Sequence, residues 1–222
     1  INGLSIISHV FKKAEEANIG EVIVATEDKE IMEDVKKNGG QAILTKNKHK
    51  TGTDRIFEAL QKINISNIEL VMNLQGDEPL IDINDIRYLK SQMIKFHSKF
   101  GTLASKISNK ELYENQNIVK VNTKEDLNNL NFPEAKNFMR KVSNKTQNIY
   151  HHLGIYCYQK EILKKIISLN QSSNEITNNL EQLRALDNNI NINVALAKSY
   201  TIGVDTEEDF VAIKKIMEYK SK

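Results

Sequence analysis

The sequence predicts an α/β fold, a mostly parallel Rossmann-like sheet covered by helices, with a mixed α+β lobe added in its second half. Two observations carry this. Up to residue 107, short apolar runs alternate with segments of helical apolar spacing, which is how βαβ units and a parallel sheet are written in sequence. After Ser108 the rhythm breaks into short strands joined by polar Asn-rich and Lys-rich connections around Leu127 to Asn131 and Ser143 to Asn148. The expectation is one domain over 1–222, with halves at 1–107 and 108–222.

Element by element, Ile7, Val10, Phe11, Ala14 and Ala17 recur at helical spacing, and Gly20 is expected to close that helix before a strand at Glu21 to Ala25. Thr26 is a candidate cap for a helix over Lys29 to Lys37, ended by Gly39 and Gly40, with a strand at Gln41 to Leu44. A helix from Asp54 to Ile63 follows. The run LVMNL from Leu70 then reads as a buried parallel strand, before a helix from Ile83 to Phe96 and a strand from Gly101 to Ile107. In the second half, strands are expected at Ile118 to Val121, His152 to Tyr158 and Ile192 to Ala197, and helices at Lys160 to Leu169, Asn178 to Leu186 and Glu207 to Tyr219.

The chain of 222 residues is 40% hydrophobic and 27% charged, sufficient for a sizeable core. A formal net charge of +2 is too small to point to nucleic acid. No apolar run approaches the roughly 20 residues that span a membrane, and no charged-then-apolar leader is visible, so a cytoplasmic protein is expected. The single cysteine, Cys157, excludes an internal disulfide framework and reads as a buried, inert thiol because no basic neighbour favours the thiolate.

Three turns carry candidate chemistry. In LVMNLQGDEP the apolar run stops at Gly76, Asp77, Glu78 and Pro79, at the carboxyl end of a strand, where ligands of open α/β sheets gather. Gly76 would admit a ligand to the backbone and Asp77 would offer a hard oxygen to a metal on a phosphate; equally, Asp77 or Glu78 caps the next helix. In Thr51 to Arg55, TGTDR, Gly52 lets the backbone approach an anion at a helix start and Arg55 adds a cation; the alternative is a cap by Thr53 or Asp54 with Arg55 in solvent. In Gly203 to Thr206, GVDT, Asp205 is either a helix cap or a second metal ligand. Asp77 and Asp205 at strand ends of one sheet could share one Mg²⁺, an ion that takes one or two carboxylates plus phosphate.

Tyr150 to Tyr158, YHHLGIYCY, alternates as a strand with His152, Gly154, Tyr156 and Tyr158 on one face. His152 and Tyr156 are either half-buried strand residues or donors to a hydroxylated substrate. In LEQLRAL, Leu180, Leu183, Ala185 and Leu186 point inward on a helix, and a solvated face is the plain account of Glu181, Gln182 and Arg184.

TGTDR, NLQGDEP, HHLGIY, LEQLRAL and GVDTEED, in that order, resemble the signature segments of the 3-deoxy-manno-octulosonate (Kdo) cytidylyltransferase family, over nearly the whole chain from Gly3. The resemblance implies a sheet of the nucleotide-diphospho-sugar transferase type. It also implies transfer of CMP from CTP to Kdo with Mg²⁺ and release of pyrophosphate, for lipopolysaccharide synthesis, by a homodimer formed through the mixed lobe. On the same grounds Asp77 and Asp205 match the metal-binding aspartates, Thr51, Gly52, Thr53, Arg55, Gln75 and Gly76 match positions lining the nucleotide, and His152, Tyr156, Glu181 and Gln182 match positions holding the sugar acid. Phe138, Met139 and Arg140 resemble the family's Phe-Ser-Arg segment without its serine or the following Ile-Pro, making Arg140 the candidate partner of the Kdo carboxylate. The family's first strand and its loop resembling PARxxSxRLPGKPL do not occur before Ile1, so a fragment is expected. Two other functions remain open: a cytidylyltransferase for another acidic sugar, such as 8-amino-Kdo or a nonulosonic acid, and a binding-only relative without the phosphate loop.

Overall fold

A computed structural model describes residues 1–65, 67–107, 110–142, 146–199 and 203–220. The chain runs α1 (Ile6–Ala17), β1 (Ile23–Thr26), α2 (Lys29–Lys37), β2 (Gln41–Leu44), α3 (Gly52–Lys62), β3 (Leu70–Asn73), α4 (Ile83–Lys95), β4 (Phe100–Ser105) and α5 (Lys110–Glu114). It continues with β5 (Lys120–Thr123), β6 (Ala135–Met139), β7 (Ile149–Gln159), α6 (Lys160–Ser168), α7 (Ser173–Asn178), α8 (Leu183–Asp187), β8 (Asn193–Leu196) and α9 (Glu207–Lys220). It forms two compact units: Ile1–Asn64 with Leu74–Arg87 and Ser199–Lys222, and Ile65–Asn73 with Tyr88–Lys198. Each unit is assembled from separated stretches rather than from one half of the sequence. Of the polar connection expected at 143–148, residues 143–145 lie outside the described residues.

In the first unit, β1 and β2 pair in parallel, Ile23 beside Gln41 through Thr26 beside Leu44. Helix α1 lays Phe11 against Val24 and Val35, with Ile7, Val22 and Ala42 packed around them. The helix ends differ from expectation. α1 closes at Asn18, in the left-handed region at φ 50°, two residues before Gly20, because an Asn side chain tolerates that conformation. α2 is capped by Asp28, whose carboxylate accepts from the N–H groups of Glu30 and Ile31, while Thr26 Oγ1 accepts from Asp28 N at 3.1 Å. Gly40 has a packing reason to lack a side chain: a Cβ there would lie 2.8 Å from both Phe11 Cε2 and Val35 Cγ1.

The second unit is a mixed sheet in the order β6-β5-β7-β4-β8, with β3 also paired to β7. The α/β class is as expected, but the pairing directions are more mixed than alternation suggests. β4 and β8 are parallel, whereas β7 runs antiparallel to β3, β4 and β5. The LVMNL strand expected to be parallel is therefore antiparallel, and of β3 only Asn73 is fully buried. An apolar run reports burial; its direction is set by its partner, here more than 80 residues later in sequence. Strand β6 and helix α5 were not foreseen. The helix expected at Asn178 to Leu186 begins only at Leu183 as α8; Asn178 is instead the last residue of α7, closed by Asn179, left-handed at φ 51°.

Replacing Gly40 with alanine is expected to lower unfolding free energy by about 1–3 kcal/mol through overpacking against Phe11 and Val35, read by urea denaturation; an unchanged midpoint would contradict this packing.

Candidate active site

The first unit brings Asp77 and Asp205 together. Val204 N–H donates to the Asp77 carbonyl at 2.9 Å, and a Cβ on Gly203 would lie 3.6 Å from Asp77 Oδ2, so the segment carrying Asp205 lies against the turn carrying Asp77. Burial pushes the Asp77 carboxyl above its ordinary range, and the negative charge of Asp205 adds to that. Neither aspartate is a helix cap. Asp82 is the carboxylate at the start of α4, accepting from Asn84 N at 2.7 Å. At α9, Thr206 Oγ1 accepts from Asp209 N at 3.1 Å and Asp209 Oδ2 accepts from Thr206 N at 3.0 Å. That reciprocal cap is made by Thr206 and Asp209 without the exposed Asp205 carboxylate, and it corrects the cap reading of GVDT.

Among the described residues no group of three or more His, Cys, Asp or Glu gathers as a metal cage. Two neighbouring carboxylates, one half-buried and raised mainly by burial with the other's charge adding, form a donor set that a small, hard divalent cation with phosphate ligands would complete. Gly76 has a packing reason to lack a side chain, since a Cβ there would lie 2.9 Å from Ile7 Cδ1.

In TGTDR the cap is Thr51, not Thr53 or Asp54: its hydroxyl oxygen accepts from Asp54 N at 3.2 Å. Thr53 is buried, in the first turn of α3. Arg55 is not left in solvent. It donates to Thr45 Oγ1 at 2.8 Å and to Glu27 Oε2 at 2.8 Å.

The second unit gathers the other candidates. A register shift between Thr102 and Leu103 pairs Thr102 with Tyr156 and Leu103 with Leu153, a bulge that turns β7 beside its histidines. The Thr102 hydroxyl has one proton and Ile155 O lies 2.7 Å away, so His152 Nε2, at 2.9 Å, is the donor to Thr102. His152 packs edge-on against Phe138 at 4.9 Å and tilted against Tyr156 at 5.4 Å. Burial, with His151 adding, drives its pKa from 6.5 to about 3: it is a neutral, fixed imidazole. Arg140 is oriented by main-chain carbonyls, with Nε on Asn178 O and Nη1 on Gln116 O and Asn117 O, each at 3.3 Å.

Asn178 ends α7, three residues before Glu181. Gln182 begins α8 and is buried, and its Nε2 finds no protein acceptor among the described residues. The solvated-face account fails here for Gln182 and Arg184. Arg184 is 3% exposed and makes a two-pronged pair with Glu175, at 2.9 and 2.6 Å. Helix α8 begins only at Leu183, so a helical wheel over Leu180 to Leu186 misplaces Glu181 and Gln182, and Arg184 turns inward to meet Glu175.

Two residues of this region escaped the sequence reading: Thr102, which fixes His152, and Lys120. Lys120 is fully buried and donates to Arg140 O at 3.1 Å and to Asn115 O. Burial, then the charge of Arg140, lowers its pKa. A lysine between Val119 and Val121 in a strand was the available signal. Cys157 is buried, and burial pushes its thiol up to about 12, in agreement with an inert role.

Comparison with known proteins gives the class first. A family profile described as cytidylyltransferase matches residues 1–192, which makes this a nucleotidyltransferase. The 3-deoxy-manno-octulosonate cytidylyltransferase of Thermodesulfovibrio yellowstonii is 40% identical over 96% of this chain and 88% of its own length. That of Bartonella tribocorum is 36% identical over 98% and 89%. The structure of CMP:2-keto-3-deoxy-manno-octonic acid synthetase complexed with CTP superposes with a TM-score of 0.85 at 32% identity, covering 97% of this chain and 88% of that one. UDP-glucose pyrophosphorylase shares the fold at 14% identity and a TM-score of 0.70, over 98% and 88%. The chain belongs to the 3-deoxy-manno-octulosonate cytidylyltransferase family.

The neutral His152 sets a pH dependence. Between about pH 3 and 6.5 the unfolded chain binds a proton at this residue that the folded one refuses. Stability therefore rises with pH through that window and this contribution is complete above it. Lowering the pH below 6.5 is expected to cost up to ~1.4 kcal/mol per pH unit from this group, and His152→Gln to flatten the slope in urea unfolding; an identical slope in the variant would remove His152 as its source.

Proposed function

We infer that the protein transfers CMP from CTP to Kdo, releasing pyrophosphate and supplying CMP-Kdo for lipopolysaccharide synthesis, with Mg²⁺ held by Asp77 and Asp205. The observation that carries this reading is the juxtaposition of those two carboxylates, clear of helix caps, by the Val204-to-Asp77 main-chain bond, in a chain whose relatives bear that activity in their names.

Each unit has its part. In the first, Thr51, Gly52 and Thr53 present the start of α3, where main-chain N–H groups favour an anion, and Gln75 and Gly76 continue the same nucleotide-lining set; Arg55 belongs to it by holding Thr45 and Glu27. In the second, His152, Tyr156, Arg140, Glu181 and Gln182 would receive the sugar acid: Arg140 as the cation for a carboxylate, Gln182 through its unsatisfied amide, His152 as part of a rigid neutral wall. Attack of a sugar hydroxyl on an α-phosphate asks for positioning and charge neutralisation more than for a covalent intermediate. The bound ion would neutralise phosphate charge and lower the pKa of the attacking hydroxyl. The carboxylates hold that ion, and the half-buried setting of Asp77 keeps water from screening it. A cytoplasmic homodimer completes the reading, in keeping with the family resemblance; no helix among the described residues is long and apolar enough to cross a membrane.

Pyrophosphate release from CTP with a panel of acidic sugars tests the assignment. Kdo is expected to be used in preference to 8-amino-Kdo and nonulosonic acids; turnover confined to one of the others would move the substrate while keeping the reaction. Asp77→Asn removes the anionic ligand at constant size and is expected to reduce turnover by at least about 10²–10³-fold with unchanged thermal midpoint, and a rate near wild type would take Asp77 out of the mechanism.

A further inference from the structure

The segment from Thr45 to Lys50, TKNKHK, contains no apolar residue and four basic or imidazole side chains. The hydrophobic effect has little to hold it by, yet it leads directly into the Thr51 cap and the first turn of α3. What holds it is a row of charged side chains on α3 spaced at i, i+3 and i+7. Lys62 Nζ donates to Leu44 O at 2.8 Å. Glu58 accepts the Lys46 N–H with both carboxylate oxygens at 3.2 Å and lies 2.6 Å from His49 Nε2 and 2.5 Å from Lys62 Nζ. Arg55 takes Thr45 Oγ1 at 2.8 Å and reaches the Lys46 carbonyl at 3.5 Å. The peptide groups on either side of Lys46 are thus gripped from one helix, the N–H by an anion and the carbonyl by a cation.

We propose that Glu58 is a positioning residue for CTP: by clamping Lys46 and His49 it fixes the apolar-free segment before Thr51 and so sets the height at which Thr51, Gly52 and Thr53 meet the nucleotide. The clamp rests on the nucleotide role of those three residues. Glu58 is suited to it because its side chain is only 12% exposed, and its hydrogen bond with Lys62, with those from Lys46 and His49, holds its carboxyl ionised down to about pH 2. Arg55, with its guanidinium on Thr45 and Glu27, acts with Glu58.

The test is steady-state kinetics with Glu58→Ala and Glu58→Gln, alongside Thr53→Val, with amide hydrogen exchange on the free protein. Glu58→Ala is expected to raise KM for CTP about tenfold with kcat and KM for the sugar acid nearly unchanged, and to speed exchange at Lys46 and His49. Glu58→Gln keeps one acceptor for the Lys46 N–H and is expected to fall between. An unchanged KM for CTP in both Glu58 variants, while Thr53→Val raises it, would overturn the clamp and leave the nucleotide site standing. An unchanged KM in Thr53→Val would instead fault the site reading. A loss of kcat and of both affinities together with the melting temperature would reduce Glu58 to a structural residue and overturn the proposal.

Discussion

The second unit is registered on β7. Eleven residues long, this strand pairs with β5 through its first residues and with β3 through its last on one edge, and with β4 along the other. Because strand side chains alternate with a period of two, one step of slip on any of the three partners would exchange the faces on which its side chains pack, and β7 is packed on both. The bulge opposite Thr102 and Leu103 breaks that alternation at one place, and there His152 and Tyr156 come together. A continuous ladder would separate them along the strand without the turn that lets one threonine hydroxyl serve both His152 and the Ile155 carbonyl.

In the first unit the corresponding constraint is electrostatic. Like charges do not assemble themselves, and Asp77 and Asp205 are neighbours because a main-chain hydrogen bond and a bare glycine bring their segments together. Burial raises the Asp77 carboxyl, and the charge of Asp205 adds to it; desolvation together with a specific charge partner is commonest at functional sites. Arg184 and Glu175 are the opposite case, a buried pair of opposite charges in direct contact.

Much of this was legible in the sequence, and the misses share a cause. Helix faces such as Val10, Phe11 and Ala14 follow from spacing alone, as do β2, β8 and α9, because local periodicity dictates them. The end of α1 at Asn18 and the cap of α9 by Thr206 and Asp209 required choosing among several polar residues that can each do the job. The direction of β3 depends on a partner more than 80 residues along the chain, which no window of sequence contains, and the inward turn of Arg184 on Glu175, which lies in the separate helix α7. The candidate site was readable as motifs; the neutrality of His152, the tether on Arg55 and the burial of Lys120 were not, since each is created by neighbours from other elements.

The pairing of β3 with β7 also bears on how the protein is made. Asn73 waits for Tyr156, 83 positions later, and at synthesis rates of about 5–20 residues per second the ribosome needs on the order of 4–17 s to deliver it. During that interval LVMNL is an unpaired apolar edge, and Asp77, four residues beyond Asn73 in the chain, has no ordered strand before it. Val204 emerges later still. The two aspartates therefore come together only after Val204 has emerged, and a nascent chain cut short before β7 would carry Asp77 without its geometry while exposing an apolar edge able to pair with another chain.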